Sequence, residues 1–234
     1  MADSRQRFAR RQRTRRLVAL RPVLVVAAVI ALGVGAAWTL LYSHWLALQA
    51  VDVQGVHQLS NRQIEQAAAL PNGEALARLD LDAAAERIEQ IPAVGAATVS
   101  RSWPHSVIIT VTERTPVALV EHAGTVRAVD ATGAEFKLKG GRHGLPMLDV
   151  DPDSGALDDA AEVMAGLPAV ISQRVREVRA DSIDSITLAL RSGDEVLWGS
   201  AADSDRKAQV LAVLLRHQAT SYDVSVPDQP TITR

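Results

Sequence analysis

The chain has 234 residues, enough for one ordinary domain or two small ones. It contains no cysteine, which excludes disulfides, zinc–thiolate sites and thiol nucleophiles. The net charge of −2 conceals an asymmetry: residues 1–21 hold eight arginines against Asp3 alone, a net of +7, which leaves −9 on the remainder and argues against nucleic-acid binding by the body.

The basic tail, residues 1–22, runs into an apolar stretch at 23–41 that carries no charge and only Thr39 as a polar interruption. A helix rises about 1.5 Å per residue, so a run of about 20 residues crosses a hydrocarbon core of roughly 30 Å. Trp38, Tyr42 and Trp45 cluster at its distal end, where amphipathic rings favour the headgroup level. Arginines flank only the N-terminal end. The expectation is therefore a single transmembrane helix over 23–43, contacting membrane lipid, with the N terminus cytoplasmic and everything from about His44 outside. A cleaved export signal is the competing reading, with Leu48-Gln49-Ala50 as its cleavage site, but signal cores run only about 7 to 15 residues. Ala27, Ala31 and Gly35 recur every fourth residue, as helix–helix contacts favour, although small residues are common in membrane helices generally.

Residues 51–56 alternate as a strand. Ser60 followed by Gln63 has capping-box spacing and predicts a helix to about Leu70, stopped by Pro71-Asn72-Gly73. Asp80 or Asp82 caps a second helix, whose apolar face is Leu81, Ala84, Ala85, Ile88 and Ile91, with Pro92 as its stop. A strand over 96–101, a turn at Trp103-Pro104-His105-Ser106 and a strand ending near Glu113 complete a β-α-α-β-β order. Val107, Ile109 and Val111 share one face of that last strand.

From Pro116 onward the pattern is strand-rich. Strands are predicted at 117–121, 125–129, 134–138, 183–190 and 195–199, with a helix over about 157–166 and a mixed stretch around 171–175. An amphipathic helix follows over 207–218, its face formed by Ala208, Leu211, Leu214 and Leu215. Tyr222-Asp223-Val224-Ser225-Val226 reads as the final strand, and 229–234 as a tail.

Arg101, Trp103, Pro104, Glu113, Arg114 and Pro116 carry a fairly specific pattern: R-x-W-P between two strands, closed by E-R-x-P-x-A. With the opening VxVxG strand directly after an apolar helix, the chain resembles a POTRA domain and, more narrowly, the FtsQ/DivIB family of bacterial division proteins. Arginine far outnumbers lysine, which occurs only at 137, 139 and 207, so the composition suits a GC-rich, actinobacterium-like source. The resemblance implies an α+β fold: a POTRA domain over 48–115 and a family-type β domain over 116–228. It implies a non-catalytic scaffold that recruits an FtsB/FtsL-type pair and FtsW/FtsI-like septal peptidoglycan synthases. It also directs attention to residues 222–226 as a sheet edge that accepts a partner strand.

Read as structure alone, Trp103 packs over the hairpin end with Pro104 fixing the turn, and Arg101 and Glu113 can face each other across neighbouring strands. Asp149, Asp151 and Asp153 mimic the start of a calcium loop, but Ser154 and Ala160 occupy the positions that require glycine and a bidentate acid. The six histidines show no metal-ligand spacing, and neither a nucleophile elbow nor a phosphate-cradling glycine loop is present. No catalytic residue, cofactor, metal, small-molecule substrate or nucleic acid is expected. Two rival classes remain: a POTRA-bearing translocation or chaperone factor, and an anchored cell-wall hydrolase. The first would precede alternating membrane strands of about 10 residues each, whereas this chain ends in a soluble-looking module.

Overall fold

A computed structural model of the chain describes residues 22, 24–36, 38–39, 44–122, 124–141, 144–150 and 155–234. Residues 1–21 of the basic tail therefore lie outside the described residues, as do Tyr42, Asp151 and Asp153. Residues 24–36 are helical and exposed on every side. Among the described residues no helix is long and apolar enough to cross a membrane.

The first module is a three-stranded sheet in the order β1-β3-β2, with two helices on one face. Strand β1 (Ala50–Gln54) pairs in parallel with β3 (Ser106–Glu113), and β3 pairs antiparallel with β2 (Val94–Ser102). Helix α1 (Asn61–Ala68) starts at Ser60, whose hydroxyl accepts the Gln63 N–H while the Gln63 side chain accepts the Ser60 N–H. The helix ends sooner than the sequence suggests, because Ala69 turns into the left-handed region at φ +48°. Helix α2 (Leu81–Glu89) is capped by Asp80, not Asp82, through a 3.0 Å bond from the Ala83 N–H. Leu81, Ala84 and Ile88 bury against Ile64 and the inward row Val107, Ile109 and Val111. Gly55 closes β1 at φ +82°. A Cβ there would stand 2.2 Å from the Val111 carbonyl oxygen, so only glycine fits the turn.

The second module is a nine-stranded sheet in the order β12-β11-β10-β9-β8-β7-β4-β5-β6. It begins with β4 (Ala118–His122), β5 (Thr125–Val129) and the two-residue β6 (Glu135–Phe136). Strand β7 (Met147–Val150) then pairs in parallel with both β4 and β8 (Val175–Ala180). Between them, helix α3 (Ala156–Gly166) and the short α4 (Ala169–Ser172) supply the crossover. The hairpin β9 (Ile186–Leu190) to β10 (Glu195–Gly199) follows. Helix α5 (Ser204–Leu214) leads to β11 (Ser221–Asp223), and β12 (Thr231–Thr233) forms the rim. The helices cover one face only. Val120, Leu148, Val178, Leu188, Val196 and Tyr222 line that face and bury against α3 and α5.

Several expectations change: the strand expected over 134–138 keeps only Glu135–Phe136, and the one expected over 183–190 starts at Ile186. Residues 229–234 are not merely a tail, because Thr231–Thr233 pair antiparallel with β11. The last predicted strand is shorter than 222–226, since Asp223 Oδ1 accepts both the Ser225 N–H (2.9 Å) and its hydroxyl (2.7 Å), turning the chain out of the sheet. Arg101 and Glu113 do not face each other: Arg101 pairs with Val107 and Glu113 with Val94, at opposite ends of the β2–β3 ladder.

Candidate interaction surface

The signature residues occupy three places. Arg101 donates to the Leu76 and Leu79 carbonyls at 2.7 and 2.6 Å, tying β2 to a short 3-10 turn whose Leu76 carbonyl also accepts the Leu79 N–H. Glu113 accepts backbone N–H bonds from His57, Gln58 and Leu59 at 2.8–3.0 Å. Partial burial pushes its carboxyl up, but those three amides and nearby His57 outweigh burial and hold it below the usual glutamate range. Arg114, the next residue, reaches the other way, bonding the Pro92 carbonyl at 3.1 Å and Asp130 of the second module at 2.6 Å. Pro116 follows in the connection to β4.

The junction is therefore a bonded seam. Lys139 Nζ donates to the Gln58 carbonyl at 2.6 Å, tying the second module to the loop that Glu113 holds. Ala93 of the first module packs on a small apolar cluster of Leu119, Ala128 and Phe136. Trp103 departs from expectation: its side chain is 50% exposed, so it does not lie covered over the hairpin end, and its peptide bond to Pro104 is cis.

The far rim is built differently. Strand β10 pairs in parallel with β11 through the α5 crossover, and β12 then runs back antiparallel. Tyr222 and Val224 face the core, with the Tyr222 hydroxyl donating to the His217 carbonyl at 2.9 Å. Trp198 on β10 is fully buried, its indole N–H donating to Ser204 Oγ at 3.2 Å. Beside it, Lys207 is buried with its ammonium on the Ser200 carbonyl at 2.8 Å. Burial pushes that ammonium below the usual lysine range, against a smaller opposing pull from Asp203. Arg206 pairs with Asp228, tying α5 to the turn that precedes β12.

The strand that carries Tyr222 is thus flanked on both sides, and the outermost strand among the described residues at this end is β12. Sequence reasoning placed the edge one strand too early. The alternation of Thr231-Ile232-Thr233, two β-branched hydroxyls about a buried-facing Ile, was the available signal. Next to this rim, Leu197 on the helix-free face is 41% exposed and Val226 is 56% exposed. An open groove of about 580 Å³ crosses the same face, lined by Asp149, Arg179, Asp181, Thr187 and Glu195, with Arg179 and Glu195 in direct contact. Among the described residues no group of three His, Asp or Glu side chains is placed to hold a metal ion. What the rim offers is backbone hydrogen bonding, two threonine hydroxyls and a modest apolar margin.

Comparison with known proteins agrees with this layout. Residues 46–114 match the family model described as POTRA domain, FtsQ-type, and residues 118–228 match that of the cell division protein FtsQ/DivIB C-terminal region. Cell division protein FtsQ of Streptomyces venezuelae is 37% identical over 243 residues, spanning 98% of this chain and 90% of its own. That of Streptomyces griseus is 37% identical over 205 residues, spanning 82% and 99%. That of Mycolicibacterium smegmatis is 34% identical over 216 residues, spanning 91% and 65%.

Proposed function

The chain belongs to the FtsQ family of bacterial cell division proteins, and from that premise we propose that it is a non-catalytic divisome scaffold held in the cell membrane at the septum. In this reading residues 23–43 span the bilayer once, the arginine-rich tail stays cytoplasmic, and the two modules, 48–115 and 116–228, stand outside. The uncharged run and its one-sided arginines support the topology. The second module recruits an FtsB/FtsL-type pair and, through it, FtsW/FtsI-like septal peptidoglycan synthases.

The observation that carries the recruiting role is the rim of the nine-stranded sheet. Among the described residues β12 has a neighbour on one side only. An incoming extended segment gains affinity there from main-chain hydrogen bonds and specificity from the side chains nearby. Asp223, Ser225 and Val226 flank the rim, while Tyr222 and Val224 hold it onto the core. The Ser225 N–H is already spent on Asp223, so strand addition draws on the side of β12 that faces away from β11.

Proline scanning of Thr231, Ile232 and Thr233 tests this. At the position whose N–H points outward, proline should leave the fold intact and weaken binding of the FtsB/FtsL-type pair by about tenfold or more. If every folded variant binds with unchanged affinity, strand addition at this rim is wrong.

A further inference from the structure

Trp103 is the one signature residue that the packing leaves unexplained. It is half exposed, and among the described residues no hydrogen bond engages its indole N–H. Its position is specific. Strands β1 and β3 are parallel, so the start of β1 and the β2–β3 turn lie at the same end of the sheet. The Gln49 and Ala50 N–H groups both reach the His105 carbonyl, at 2.9 and 3.4 Å, fastening that turn to the segment through which the chain enters the module. The same end is closed by Leu48, whose N–H bonds the Glu74 carbonyl at 2.8 Å and whose side chain is buried in the core.

The entering segment is short. Trp45, 86% exposed, lies in a 3-10 turn (His44–Leu46) that ends two residues before Leu48. Three residues span at most about 10 Å, and fewer ångströms when part of them is 3-10 helix. If Trp45 sits in the headgroup layer, the end of the module that bears Trp103 is held against that layer. An indole with a large apolar body and a free N–H is suited to such a boundary. Trp198 is the contrast: fully buried, with its N–H satisfied.

We propose that Trp103 is a second membrane-interface anchor, which with Trp45 seats the entry end of the first module at the lipid headgroup level. This rests on the reading that residues 23–43 span the bilayer. The occupant of the exposed turn is the lipid surface, because the covalent tether from Trp45 to Leu48 keeps this end of the module within about 10 Å of it.

The chain has no cysteine, so one introduced thiol takes one spin label. The full chain is placed in nanodiscs of mixed phosphatidylethanolamine and phosphatidylglycerol. Labels go at Ile30→Cys, His105→Cys and Ser192→Cys, and collision with oxygen is compared with collision with an aqueous nickel chelate. The expected result is a lipid signature at 30, an interfacial signature at 105 and an aqueous one at 192. Adding Trp103→Ala should raise nickel access at 105 severalfold and leave 30 and 192 unchanged. An aqueous signature at 105 with a lipid signature at 30 overturns the proposal while the membrane span stands. Shielding of 105 from both reagents also overturns it, because protein then covers the turn. An aqueous signature at 30 removes the membrane span, and the proposal with it.

Discussion

Arg114 donates to Asp130 Oδ2 at 2.6 Å, joining the last residues of the first module's sheet to the turn after β5 in the second. Burial pushes the Asp130 carboxyl up, but bonds from Arg114, Thr132 and Ala134 outweigh it and hold it below the usual aspartate range. A carboxyl depressed in the folded state adds stability above its unfolded value, about 3.9, and that contribution is lost as pH falls through the lower folded value. Asp130→Asn should therefore destabilise the chain at neutral pH by about 1 to 3 kcal/mol. It should also flatten the acid limb of urea melts taken at a series of pH values. An unchanged acid limb would show that another carboxyl governs it.

Glu113 has a separate job. Its carboxylate is the acceptor for three consecutive amides, and Glu113→Gln offers one acceptor oxygen where two served. The expected loss is about 1 to 2 kcal/mol. Hydrogen exchange should quicken at residues 57–59 while the β9–β10 hairpin keeps its protection. Uniform loss across both modules would contradict a local role.

The two tryptophans should separate cleanly. Trp198→Ala removes a fully buried ring and should cost about 3 to 5 kcal/mol. Trp103→Ala removes a ring already half in solvent and should cost about 1 kcal/mol in the chain out of lipid. Comparable losses in denaturant melts would mean that Trp103 is more tightly packed than its exposure indicates.

Much of the first module was legible because its signals are local. The Ser60–Gln63 box, the Asp80 cap and the alternation of Val107, Ile109 and Val111 each specify an element within a few residues. The second module was less so. Strand β8 hides in Val175-Arg176-Glu177-Val178-Arg179-Ala180, where a register irregularity between Val175 and Glu177 breaks the alternation. The rim was misplaced because pairing order is a long-range property: nothing within Tyr222–Asp223 reveals that Thr231–Thr233 will fold back beside it. The roles of Glu113 and Arg114 were equally hidden, since their partners lie 54 to 56 and 16 residues away in the chain.

Topology gives the remaining prediction. With arginines on one flank only, alkaline phosphatase fused after Arg234 should be active in living cells, and protease added to spheroplasts should digest nearly everything beyond His44. An inactive fusion would invert the orientation. A mature N terminus at Val51 would replace the anchor by a cleaved signal.

The parallel pairing of β1 with β3 has a mechanical consequence. A pull from the N-terminal side grips β1 at Ala50, while the second module draws on β3 at its far end, Glu113. Two parallel strands tugged at opposite ends are loaded in shear. The paired positions from Ala50–Ser106 to Gln54–Thr110 then bear the load together, whereas strands loaded at one common end unzip bond by bond. Tension applied between the entry segment and the second module therefore falls on all five paired positions at once.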